Sequence, residues 1–80
     1  MTREEILKSV DSIIATSIGH HEFELDGNLK PEDIIGWDSM VNALILTSIE
    51  QQFGVKFKFS DMLAWKTIGE LVNLIQIKIG

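Results

Sequence analysis

The chain has 80 residues, 45% of them hydrophobic and 24% charged, with a formal net charge of -5 and no cysteine. That length supports one modest core with a thin stability margin, and the composition is too apolar for a disordered segment. It also excludes disulfides, thiolate metal sites and cysteine nucleophiles; no apolar run is long enough to span a bilayer, and no cleavable signal pattern precedes the first predicted helix.

The charge is unevenly placed. Residues 19–38 hold Glu22, Glu24, Asp26, Glu32, Asp33 and Asp38 against the single base Lys30, a local balance equal to that of the whole molecule. Residues 39–80 are close to neutral. An acidic collar of this kind argues against nucleic acid or an anionic membrane and for a basic protein partner.

In chain order, Thr2 and Glu5 form a capping-box pattern that opens a first helix, with Ile6, Leu7, Val10, Ile13 and Ile14 at helical spacing and Gly19 as the stop. A long loop follows to Trp37. Asp26-Gly27 is a turn signal, Pro31-Glu32-Asp33 is a candidate single helical turn, and Phe23, Leu25, Leu29, Ile34 and Ile35 are expected to pin the loop to the core. So long a loop in so small a chain points either to function or to an element that the pattern does not reveal. His20 and His21 are read as two solvent-exposed loop residues.

Asp38 is the expected N-cap of a middle helix that runs to Phe53 and stops at Gly54. Its inward stripe is predicted as Ile45, Leu46, Ile49 and Phe53, leaving Met40 and Leu44 outward with Val41 on the flank. An apolar outer side with nothing left to cover it reads as a docking surface. From Val55 to Phe59 apolar and basic residues alternate, but a lone strand is implausible, so an extended linker plugging Val55, Phe57 and Phe59 into the core is expected. Ser60-Asp61 is expected to cap a short helix over 61–64, with Met62 and Leu63 on its apolar side and bulky Trp65 behind it. Thr67 and Glu70 repeat the box signal before a last helix with Ile68, Leu71, Val72, Ile75 and Ile79 on one face.

The chemistry centres on Gly36-Trp37-Asp38-Ser39-Met40. Nucleophilic catalysis needs a base in hydrogen-bond reach of the serine and a group to orient it. The motif supplies neither. No glycine-rich phosphate cradle and no spaced metal-ligand set occurs either. Ser39 lies just inside a helix start, where free N–H groups and the dipole favour a phosphate ester, although Asp-Ser pairs are also common as plain helix caps.

The Gly36–Met40 motif, the segment Ile49-Glu50-Gln51-Gln52-Phe53-Gly54-Val55 and the segment Thr67-Ile68-Gly69-Glu70-Leu71 together resemble acyl carrier proteins, in register across essentially the whole chain. The resemblance implies an all-α fold, a small four-helix bundle of three long helices and one short one, with the long loop between the first two, in a single carrier domain over residues 1–80. It implies no enzyme, but a carrier whose Ser39 receives a covalent 4'-phosphopantetheine from a phosphopantetheinyl transferase that uses coenzyme A and magnesium, with Asp38 as cap and magnesium contact. Acyl intermediates would ride as thioesters on the arm. Met40, Val41, Leu44, Glu50 and Met62 would meet acyl-loading and acyl-processing enzymes. The outer face of the middle helix has Glu50 as its one acid, with Leu44, Thr47 and Gln51 beside it, unlike carriers of central fatty-acid synthesis; this favours polyketide, peptide or glycan and lipid pathways. A free-standing, monomeric, cytoplasmic protein is expected. The alternatives are a peptidyl or aminoacyl carrier and, in another class, an unmodified acidic helical adaptor for a basic partner.

Overall fold

The computed structural model describes residues 1–80 and contains helices only: α1 (Arg3–Ile18), a single 3-10 turn (Pro31–Asp33), α2 (Ser39–Phe53), the one-turn α3 (Phe59–Met62) and α4 (Ile68–Ile79). None is long and apolar enough to cross a membrane. α1 packs against both α2 and α4, which places it at the centre of the bundle.

Local chemistry explains where the long helices begin and end. The Thr2 hydroxyl accepts from Glu5 N–H at 3.2 Å, and the Glu5 carboxylate accepts from Thr2 N–H at 2.9 Å. Thr67 and Glu70 make the same reciprocal pair at 3.2 and 3.1 Å. Each box satisfies two donors that a helix start leaves without partners. α1 and α2 stop at Gly19 (φ 83°) and Gly54 (φ 66°), both in the left-handed region that a side chain disfavours.

The core is built from stripes at i, i+4 spacing. Ile6, Val10 and Ile14 of α1, Ile45 and Ile49 of α2, and Ile68, Leu71, Val72 and Ile75 of α4 are completely buried. Each such side chain contributes about 1.5–3 kcal/mol, so these nine carry most of the drive to fold. Phe53 and Val41 are half-buried at the edge of this cluster. Trp65, on the α3–α4 connection, joins the core; its indole Nε1–H is buried with no acceptor. An orphaned donor of this kind costs about 1–3 kcal/mol.

The long loop is fastened at several points. Phe23, Leu25 and Leu29 pack on the core and Ile34 enters it. Leu29 and Gly27 carbonyls accept the N–H groups of Ile68 (2.8 Å) and Gly69 (3.2 Å), closing the start of α4. A Cβ on Gly69 would lie 2.7 Å from the Gly27 oxygen, so only glycine permits that approach.

Several expectations are corrected. Ile35 does not pin the loop: it is 80% exposed, because the extended backbone at Ile34 sends successive side chains to opposite sides. Phe59 is 77% exposed rather than plugged in, because the chain turns into α3 straight after Lys58 and ends the two-residue alternation. α3 starts two residues earlier than predicted, since Asp61 is not its cap; the Asp61 carboxylate reaches back to Lys58 N–H at 2.8 Å from the third helical position. Leu63, just past its end, is exposed. The far end of the α4 stripe also opens to solvent, with Ile79 at 39% exposure.

Candidate functional site

Ser39 is the first residue of α2 and is exposed. Asp38 precedes it as N-cap: its Oδ1 accepts from Val41 N–H at 2.9 Å, and its carbonyl accepts from Asn42 N–H at 2.8 Å. No bond of either kind engages the N–H groups of Ser39 and Met40. The third helical position is Val41, which has no carboxylate to reach back, and the first turn contains no acid. The start of α2 therefore presents free donors and the positive end of the helix dipole beside an exposed hydroxyl, an arrangement that accommodates a phosphate ester.

The approach to Ser39 is held firmly. Trp37 N–H donates to the Ile34 carbonyl at 3.3 Å, and the Trp37 indole N–H donates to Asn42 Oδ1 at 3.1 Å, bridging across the serine. The Trp37 ring rests 6.4 Å from that of Trp65, centroid to centroid. Gly36 (φ 95°) passes close to the end of α1, where a Cβ would sit 3.4 Å from Ile18 Cβ.

The histidines are more ordered than expected. His20 Nδ1 accepts from Glu22 N–H at 3.0 Å while Nε2 lies 2.6 Å from the Ile35 carbonyl. With Nδ1 acting as acceptor, the proton belongs on Nε2, which donates to Ile35. His20 thus clips the end of α1 to the segment entering the serine motif. His21 contacts the Asp11 carboxylate at 2.9 Å. Neither ring bonds Ser39, so no base activates that hydroxyl within the chain.

Of the residues expected to dock partners, Met40 (82% exposed) and Leu44 (53% exposed) lie one turn apart on the outer side of α2. Met62 is exposed on α3. Val41 is placed differently: half-buried, it packs on the core cluster. Glu50 is also half-buried, and its Oε2 accepts from Phe57 N–H at 2.8 Å, fixing the α2–α3 connection. α3 is further tied to α4 by Asp61–Lys78 at 2.8 Å, with the Lys78 ammonium 5.8 Å from the Phe57 ring centroid. The Lys78 partner, followed by the Lys58 N–H, holds the Asp61 carboxyl below its ordinary pKa.

Residues 9–75 match the family model described as the phosphopantetheine attachment site. The chain is 34% identical to an acyl carrier protein of Thermotoga maritima over 79 residues, covering 99% of this chain and 98% of that one. The chain belongs to the acyl carrier protein family. It is also 29% identical to the meromycolate extension acyl carrier protein of Mycobacterium leprae, over 95% of this chain and 66% of that one. The solution structure of a holo acyl carrier protein from Geobacter metallireducens superposes with a TM-score of 0.84 at 23% identity, over 92% of this chain and 85% of that one, a likeness that speaks for the fold. This carrier is therefore not an enzyme: it bears phosphopantetheine and serves acyl-handling enzymes and a phosphopantetheinyl transferase.

Proposed function

We propose that Ser39 carries the arm. The observation that supports this reading is the exposed hydroxyl at a helix start whose first two N–H groups are free, a built place for a phosphodiester. In the attachment step the Ser39 oxygen bonds to the phosphorus of the pantetheine-bearing phosphate of coenzyme A. The pyrophosphate linkage breaks, adenosine 3',5'-bisphosphate leaves, and the serine proton passes to a base of the transferase. Asp38, whose Oδ1 accepts from Val41 N–H, would help hold the transferase's magnesium during the transfer. Once attached, the arm supplies a terminal thiol that a cysteine-free chain lacks. Tethering raises the cargo's concentration at a docked enzyme to roughly millimolar, so docking can be weak and brief.

Met40, Leu44 and Met62 form the apolar surface that partners grip, methionine adapting to differently shaped enzymes. Leu44, Thr47 and Gln51 on the outer side of α2 replace the acids of central fatty-acid carriers, which supports a specialised pathway. We read the protein as a single, monomeric, cytoplasmic carrier domain.

Intact-mass measurement tests the attachment residue. The unmodified protein, incubated with coenzyme A, magnesium and a broad-specificity transferase, should gain the mass of one phosphopantetheine, and Ser39→Ala should gain none. A gain that persists in Ser39→Ala overturns the assignment.

A further inference from the structure

The two tryptophans near the serine motif differ in one respect. The Trp37 indole N–H has its acceptor in Asn42 Oδ1, whereas the Trp65 indole N–H is sealed in the core with none. Trp65 is 8% exposed and belongs to a cluster otherwise made of isoleucine, leucine and valine side chains. Buried polar atoms without partners are few in native proteins, and each calls for an explanation. Here the place of the donor suggests one. The rings of Trp65 and Trp37 are 6.4 Å apart, and Trp37 is two residues from Ser39, so the buried donor belongs to the ring next to the one that flanks the serine.

We propose that the Trp65 indole N–H is a specificity donor for the cargo, giving a hydrogen bond to a carbonyl or hydroxyl oxygen on the acyl chain when that chain folds back from Ser39 between the helices. The inference rests on the Ser39 reading above. A plain hydrocarbon chain would leave the donor orphaned; an oxo- or hydroxyacyl chain satisfies it. This carrier is accordingly selective for oxygen-bearing cargo, and the reaction that supplies it must leave an oxygen on the chain. Phe57 and Val41, half-buried against the same cluster, are the side chains placed to yield as the chain enters.

The test uses nitrogen-15 labelled protein in four states: unmodified, carrying phosphopantetheine, and loaded from octanoyl- or 3-oxooctanoyl-coenzyme A, each verified by intact mass. The Trp65 indole proton should move downfield and exchange more slowly only in the 3-oxooctanoyl form, while the Trp37 indole stays in place. In Trp65→Phe, which keeps an aromatic ring and removes the donor, shielding of the 3-oxo thioester from hydroxylamine should lose its advantage over the octanoyl thioester by about fivefold, the ratio that corresponds to a hydrogen bond of ~1 kcal/mol net. Both rates are normalised to the corresponding coenzyme A thioester. An equal shift with octanoyl, which would assign the donor to the thioester carbonyl, overturns the proposal. So does a shift already complete with the bare arm, or none in any loaded form. Mass spectra reading no loading at all would instead overturn the Ser39 assignment, and this inference with it.

Discussion

The starts of α4 and α2 are built from the same materials and finished in opposite ways. At α4 the Thr67–Glu70 box closes reciprocally, and the Leu29 and Gly27 carbonyls take the Ile68 and Gly69 N–H groups, so the start is sealed by side chain and loop together. At α2 Asp38 makes one side-chain bond, Val41 stands where the box would need a carboxylate, and the Ser39 and Met40 donors face solvent. Leaving a helix start open forgoes stabilisation that Glu at the third position would supply. The difference separates a start that holds the bundle from one that presents a hydroxyl.

The sharpest way to break the closed start is Gly69→Ala. The new Cβ would sit 2.7 Å from the Gly27 oxygen and 3.0 Å from its Cα, so the loop must withdraw from α4. We expect a loss of about 1–3 kcal/mol by chemical denaturation, as for overpacked sites. A midpoint within error of the parent protein would show that the loop gives way freely and that the seal contributes nothing.

Next in size are the two cap deletions. Thr67→Ala and Asp38→Ala should each cost about 1 kcal/mol. Their consequences should then part: Thr67→Ala leaves the rate of phosphopantetheine transfer unchanged, and Asp38→Ala slows it. Equal transfer rates for the two variants would reduce Asp38 to an ordinary cap.

The outer side of α2 supplies a smaller effect on folding. Leu44 is 53% exposed, one turn beyond Met40, so Leu44→Glu should change stability by no more than about 0.5 kcal/mol while weakening acyl transfer from partner enzymes through a raised KM. A large drop in melting temperature would place the side chain in the core.

What the sequence revealed divides along the same line between local and distant contacts. Thr2 with Glu5, Thr67 with Glu70, Asp38 before Ser39 and the stops at Gly19 and Gly54 were legible because each acts within four residues of itself. The stripes of α1 and α4 were legible from spacing. Ile35 and Phe59 were not, because their facing depends on where an extended stretch ends, and alternation does not encode that. Val41 and Glu50, expected on the docking surface, lie at the margin between it and the core; one packs inward and the other bonds Phe57 N–H across the α2–α3 turn. The His20 clip to Ile35 spans 15 residues and left no local signature. Gly69 did leave one, a glycine inside a helical pattern, which generally marks close packing. Only the structure names Gly27 as its neighbour.

The gentlest test of the comparison is pH. Glu70 is held below its ordinary pKa first by the Lys66 N–H, then by that of Thr67; Glu5 is lowered first by the Thr2 N–H, then by the Thr2 side chain. A carboxyl lowered in the folded state lends stability that is complete above its unfolded pKa and fades as pH falls through the folded one. The contribution is therefore whole at neutral pH and begins to fade only as pH falls below the ordinary glutamate value of about 4.3. Both groups are open to solvent, so the melting temperature should decline only slightly on their account. Local exchange is the more telling readout. The Lys66 and Thr67 N–H groups, bonded to Glu70 at 3.0 and 3.1 Å, should lose protection relative to their intrinsic exchange rates as the carboxylate takes up its proton. In Glu70→Gln that loss of protection should vanish, because the amide oxygen accepts at every pH. Exchange at Lys66 and Thr67 that follows the same pH curve in parent and variant would show that the box at α4 stays shut without its charge, and that its contrast with the start of α2 is one of shape alone.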